Sequence, residues 1–234
     1  MILSSLAKYI LFILGWEQID NDTYKILSSN DKLILTFSHT SYFDFYIFLL
    51  YMFSCPQNTH KIYLLMKPQP FNYIGWILRK LGAIPSTKLE DKNGGSVSRI
   101  VNQLKQTDKF VFLISPKGTI KNAPWRTGYY YIAKQSNAKI LAIGLDYYKK
   151  SIIICSDLIS TKTNDETIIT NYLQDTLKTI IPVYPEREGI NIQYKPTAFN
   201  HLKFISYITL QLLLLFGIKS LFSMIVHSSS SISM

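Results

Sequence analysis

The chain has 234 residues, 47% of them hydrophobic and only 17% charged, and a mean hydropathy of +0.11 is high for a domain wholly surrounded by water. That length suits one large α/β domain and is short for two, while a net charge of +10 suggests an anionic partner, with solubility as the plainer alternative. The basic residues stand singly among apolar ones and form no arm or Lys/Arg-rich run, so the sequence argues against nucleic acid and for an acidic lipid surface or a phosphorylated substrate.

The first segment, 1–16, is apolar except for Ser4, Ser5 and Lys8. It lacks the basic start and small-residue cleavage site of a signal peptide and is too short to cross a bilayer comfortably. It therefore reads either as an interfacial or membrane helix or as a core helix. Residues 17–31 are polar, with Tyr24–Leu27 as a short strand. Leu33–Phe37 is a buried-strand pattern, and Phe45–Phe53 runs more than two turns without Gly or Pro, as a helix does.

Further on, Lys61–Met66 predicts a strand, Phe71–Leu81 a helix and Leu81–Lys88 a turn with a short extended piece. Ser96–Gln106 predicts a helix, Phe110–Ile114 a strand, Tyr129–Asn137 a helix, and Lys139–Tyr147 a strand that can pair with Ser151–Cys155 as a hairpin. Glu166–Ile180 predicts an amphipathic helix. Strands alternating with helices imply an α/β fold with a mostly parallel or mixed central sheet flanked by helices, occupying residues 17–200. Beyond it, 201–227 is a hydrophobic membrane-associated helix. Its uncharged stretch Phe204–Ile218 is about 22 Å long at helical rise and spans a bilayer only if extended past Lys219. The Ser-rich piece 228–234 is a disordered tail.

The chemistry concentrates at Ser38-His39-Thr40-Ser41-Tyr42-Phe43-Asp44, between the first strong strand and its helix. Neighbours on a helix surface are three or four residues apart, so a His with an acid five positions on pairs only if the His lies outside the helix. Asp44 in the first turn then holds one ring nitrogen of His39 and leaves the other to take a proton. The plainer alternative makes Asp44, Thr40 and Ser41 helix caps and His39 an ordinary loop residue. The residues alone leave both open. His60, His201 and His227 have no acid at a suggestive spacing. Cys55 and Cys155 belong to no CxxC or metal-ligand spacing and read as thiols in a reducing compartment, and no metal is expected.

Two later loops turn the balance. Leu81-Gly82-Ala83-Ile84-Pro85-Ser86-Thr87-Lys88 and Ser115-Pro116-Lys117-Gly118-Thr119-Ile120 follow the His39 loop in order, and Pro124-Trp125-Arg126-Thr127-Gly128 continues the second. Together, over roughly residues 33–148, they resemble the glycerolipid acyltransferases, which acylate glycerol 3-phosphate and lysophospholipids. The first loop matches that family's His-x4-Asp motif, with Ser38 where many members have Asn. The second is similar to its Gly-x-Ile-Pro-x-x-Arg block, with Lys88 for Arg, and the third to its Pro-Glu-Gly-Thr-Arg block. There Lys117 replaces Glu and Ile120 replaces Arg, while Lys139 stands where Pro is common.

The resemblance implies O-acyl transfer from an acyl thioester to the hydroxyl of a lysophospholipid, lysophosphatidate first among them. His39 would be the base and Asp44 its support. Lys88, with Lys117 or Lys121, would hold the acceptor phosphate, and Gly118 and Thr119 would form an anion-binding turn near the oxyanion. Arg126 would meet the donor's phosphates or simply pair with an acid. No cofactor is implied beyond acyl-CoA or acyl-carrier protein as donor substrate. A phospholipid membrane is the implied partner, with the active site on its cytoplasmic side, and oligomeric state is left open. The rival reading is a degenerate lipid-binding membrane protein with the same fold.

Overall fold

In the computed structural model, which describes residues 2–17, 19–55, 60–86, 95–163 and 165–190, the apolar runs become strands of one sheet. Its strands are β1 (Lys32–Thr36), β2 (Lys61–Met66), β3 (Ala83–Pro85), β4 (Phe110–Ile114), β5 (Lys139–Asp146) and β6 (Ser151–Ile154), in the order β3-β2-β4-β1-β5-β6. All neighbouring pairs are parallel except β5 with β6, the predicted hairpin. Helices α1 (Ile2–Ile13), α2 (Asn21–Ser29), α3 (Phe43–Ser54), α4 (Phe71–Lys80), α5 (Gly95–Leu104), α6 (Gly128–Ser136) and α7 (Glu166–Leu177) fill the connections, and a 3₁₀ turn spans Pro185–Glu188.

The central strands are buried on both faces, as parallel strands under crossover helices must be. Ile34 of β1, Phe112 and Ile114 of β4, and Ile140 and Ala142 of β5 share a core with Ile100 and Leu104 of α5, Ile132 of α6, and Leu173 and Leu177 of α7. The alternate positions Leu33, Leu35, Val111 and Leu113 are equally buried on the opposite face. Burying a Leu or Ile side chain contributes about 1.5–3 kcal/mol, so this two-sided core fixes strand register firmly.

One local outcome separates the fold from the sequence reading. Tyr24–Leu27 is helical, within α2, because Asp20 caps that helix: its two carboxylate oxygens accept from the N–H and the hydroxyl of Thr23, each at 2.7 Å. The N-terminal segment is a helix that packs against α3, with Ala7 and Leu11 buried and the Ser4 hydroxyl donating to Ser54 O at 2.8 Å, while Tyr9 and Phe12 face outward. Among the described residues no helix is long and apolar enough to cross a membrane. The expected helix at 201–227 and tail at 228–234 lie outside the described residues.

Gly82 is the tightest point of the sheet edge. Its φ is +84° and a Cβ there would meet Ile62 O at 1.9 Å, so the turn into β3 admits only glycine.

The topology places the site. The chain leaves β1 through α3 toward β2 on one side, and leaves the adjacent β4 through α6 toward β5 on the other. Where neighbouring strands send their connections in opposite directions, a crevice opens at their carboxyl ends. The loops that border it begin at Phe37 and at Ser115.

Candidate active site

The first of these loops puts His39 just past β1 and Asp44 in the first turn of α3. Asp44 lies on the buried face of that helix, in line with Ile47, Phe48 and Tyr51, and is only 2% exposed. Packing of that face therefore drives the carboxylate under the loop. Oδ2 of Asp44 meets His39 Nδ1 at 3.1 Å and also accepts from the backbone N–H groups of Thr40 and Ser41, each at 2.9 Å. Ser41 Oγ in turn accepts from Phe43 N–H at 3.2 Å. Capping and His-Asp pairing thus coexist, because the acid reaches back to the two amides that bend the chain around the imidazole.

The other carboxylate oxygen accepts from Tyr147. Its hydroxyl donates to Asp44 Oδ1 at 2.7 Å, and its ring meets Trp16 edge to face at 5.1 Å. Burial above all, and then the charge and hydrogen bond of Asp44, hold the Tyr147 phenol well above its ordinary range, so it stays a donor. Both oxygens of Asp44 are therefore hydrogen-bonded, which is the condition for keeping a carboxylate inside a protein. The His39 side chain keeps 20% exposure and packs edge-on to Phe37, so Nδ1 is turned inward while part of the ring stays open to solvent.

The second loop, from β4, places Lys117 differently from a free phosphate ligand. It is 3% exposed, its ammonium is ion-paired with Glu188, and it donates to Arg187 O at 3.1 Å. Glu188 Oε1 also accepts from Ser38 Oγ, and Arg187 Nη1 donates to Thr40 O at 2.5 Å. Gly118, at φ +62°, gives its N–H to Ser115 O at 3.0 Å, which commits that amide to the turn. Thr119 Oγ1 accepts from the N–H of Lys121 at 3.3 Å, and the Lys121 and Arg126 side chains are exposed. Lys88 lies outside the described residues.

A recess of about 190 Å³ opens beside the His39 loop, lined among others by Ser38, Lys117, Trp125, Gln174, Lys178 and Glu188. It borders His39 through Ser38 and does not include the imidazole itself. His60 is distant in role: it is buried and its Nε2 faces Asn30 O at 2.7 Å, a structural contact. Both cysteines are free thiols, and among the described residues no group of three His, Cys, Asp or Glu is placed to hold a metal ion.

Sequence reasoning finds His39 and Asp44 and misses Tyr147, Arg187 and Glu188. These three lie more than 100 residues from the loop they touch, and no spacing rule links them to it.

No curated protein matches the chain significantly. A family model described as Acyltransferase matches residues 18–146, which carry the sheet from β1 through β5 and both loops of the crevice. The match covers more than half of the chain, and the chain belongs to that family, the glycerolipid acyltransferases, whose domain performs acyl transfer in lipid metabolism.

Proposed function

We propose that this enzyme is a membrane-associated O-acyltransferase that moves a fatty acyl group from an acyl thioester to the hydroxyl of a lysophospholipid, with lysophosphatidate as the leading acceptor. The observation that carries the reading is the His39–Asp44 pair, seated at the crevice with Nδ1 tied inward and the ring part-exposed. With Nδ1–H donating to Asp44, Nε2 carries the lone pair. It takes the acceptor's hydroxyl proton as the oxygen bonds to the thioester carbonyl carbon. When the tetrahedral adduct collapses, the C–S bond breaks and the thiolate leaves with that proton. No acyl-enzyme is required, and the buried Cys55 and partly buried Cys155 are poor nucleophiles: desolvation raises Cys55 to about 11 and Cys155 to about 12.

The acceptor phosphate is assigned to cations around the recess. Lys178, at its rim and paired with Asp175 at 2.8 Å, and Lys121 are solvent-facing, and the resemblance adds Lys88, which lies outside the described residues. Arg126 is assigned to the phosphates of the donor. Lys117 contributes to this field only through its pair with Glu188, so its charge is largely neutralised. That neutralisation is also what favours the second reading, a degenerate lipid-binding protein.

Membrane association is supported by α4. Its sequence carries no acid, Tyr73 and Trp76 are 86% and 66% exposed, and Arg79 and Lys80 lie over the rings of Phe71 and Trp76 at 5.3 and 5.4 Å. Aromatic rings flanked by cations suit the headgroup layer of an anionic bilayer. Net charge and free thiols fit the cytoplasmic leaflet.

An acceptor and donor panel tests the assignment. Purified protein on anionic vesicles, given labelled acyl-CoA or acyl-carrier protein, should acylate lysophosphatidate in preference to a monoacylglycerol of the same chain. Equal use of both would remove the phosphate from acceptor recognition. No product from any acceptor with either donor, while vesicles are still bound, would establish the degenerate reading.

A further inference from the structure

Two consecutive residues, far from His39 in sequence and outside the stretch matched by the family, grip the chain on both sides of it. We propose that Arg187 and Glu188 are positioning residues for His39, acting as a clasp on the loop that carries the base. The proposal rests on the reading of His39 as the general base.

The contacts are specific on each side. Glu188 Oε1 accepts from the hydroxyl of Ser38, the residue before His39, and Arg187 Nη1 donates to the carbonyl of Thr40, the residue after it. Asp44 fixes the ring at Nδ1 and also holds the Thr40 and Ser41 amides, all from below through α3. On the other side of the loop, Ser38 and the Thr40 carbonyl are tied by the clasp. A base works only when its free nitrogen stays within hydrogen-bond reach of the acceptor hydroxyl, so the backbone must be fixed as well as the ring.

The clasp is itself rigid. Pro185 is buried, the N–H groups of Arg187 and Ile190 donate to Tyr184 O and Pro185 O at 3.1 Å each, and Gly189 closes the turn at φ +70°. The Arg187 guanidinium lies 4.1 Å over the Tyr184 ring, which sets its direction before it meets Thr40. Its anchor is Lys117. The ammonium is bonded both to Glu188 and to Arg187 O, so the loops after β1 and after β4 are joined through one carboxylate. An ion pair with its lysine 3% exposed is screened little, and either partner left alone is costly. The positive charge at position 117 is thereby accounted for by a negative one supplied from the distal turn.

The test uses the full chain in detergent micelles, with Arg187→Met, Glu188→Gln and the conservative Arg187→Lys. His39 ring nitrogen signals, assigned by their loss in His39→Ala, are read beside kcat and KM, and a thermal melt confirms folding. The parent should show one fixed tautomer with Nδ1 protonated. In Arg187→Met and Glu188→Gln the His39 signals should move toward tautomer averaging while those of His60 stay, with kcat down about 10²-fold and KM within about threefold. Arg187→Lys should recover part of both. His39 signals unchanged in folded Arg187→Met would overturn the proposal whatever turnover does, and that variant decides alone should Glu188→Gln fail to fold. If the parent transfers no acyl group, the ring signals still decide the clasp, and only the acyltransfer reading falls.

Discussion

Asp44→Asn separates a supporting carboxylate from a helix cap, because asparagine caps as well as aspartate does. The substitution is nearly isosteric. An amide oxygen in the Oδ2 position can still accept from the Thr40 and Ser41 amides, and the Tyr147 hydroxyl can turn from donor to acceptor for the new NH₂ group. What disappears is the negative charge 3.1 Å from His39 Nδ1. For unit charges at that distance and an effective dielectric of about 20, the attraction on a protonated imidazole is about 5 kcal/mol. That figure is an upper bound, since His39 keeps some solvent contact, and a loss of about 3–5 kcal/mol from the transition state corresponds to roughly 10²–10⁴ in kcat. Steady-state acyl transfer should therefore fall by that factor in Asp44→Asn, while urea unfolding shifts by less than about 1 kcal/mol. Activity within twofold of the parent would reduce Asp44 to a cap and refute the dyad.

Tyr147→Phe keeps the ring against Trp16 and removes a hydrogen bond to a buried charge, so it should cost about 1.5–3 kcal/mol in urea unfolding and lower kcat about tenfold. Alkaline pH should destabilise the fold. Burial holds Cys55 up to about 11 and Cys155 up to about 12, so above pH 9 the unfolded chain releases protons that the folded one keeps. Stability is then fully present below pH 9 and falls as pH rises, with Cys55 alone removing about 2 kcal/mol by pH 11. Urea melts at pH 8 and pH 10.5 in the Cys55→Ala variant and the parent check this, and a pH-independent difference would contradict it. On the membrane side, Trp76→Ser should weaken sedimentation with anionic vesicles by about 10- to 100-fold, taking about 1.5–3 kcal/mol for one buried aromatic ring, and leave turnover of a short-chain micellar acceptor unchanged.

The sheet was legible because its signal is local. Leu33–Phe37, broken only by Thr36, and Phe110–Ile114 are apolar runs bounded by polar turns, and burial on both faces is what such runs demand. The helix over Tyr24–Leu27 differs from the expected strand for an equally local reason: the apolar pair Ile26-Leu27 fits a strand, and the Asp20 side chain accepting from Thr23 N–H decides for the helix. Strand order was out of reach, since nothing in β4 says that it inserts between β1 and β2.

The site divides the same way. His39 and Asp44 sit five residues apart on a strand-turn-helix, so their pairing follows from local geometry once the His is placed outside the helix. Lys117 illustrates the opposite case. Its place in the third block suggested a phosphate ligand, whereas its structural partner, Glu188, is 71 residues away and takes the ammonium into the protein. Tyr147 was visible only as the end of an apolar strand, and its hydroxyl acquires a role solely because β5 lies beside β1.

Acyl transfer through His39 is tested most directly by single-turnover transfer from labelled acyl-CoA to lysophosphatidate on anionic vesicles, comparing the parent with His39→Ala. The parent should form phosphatidate and His39→Ala should lose at least about 10²-fold of the rate with its melting temperature retained. Equal rates from the two proteins would contradict a general-base role for His39.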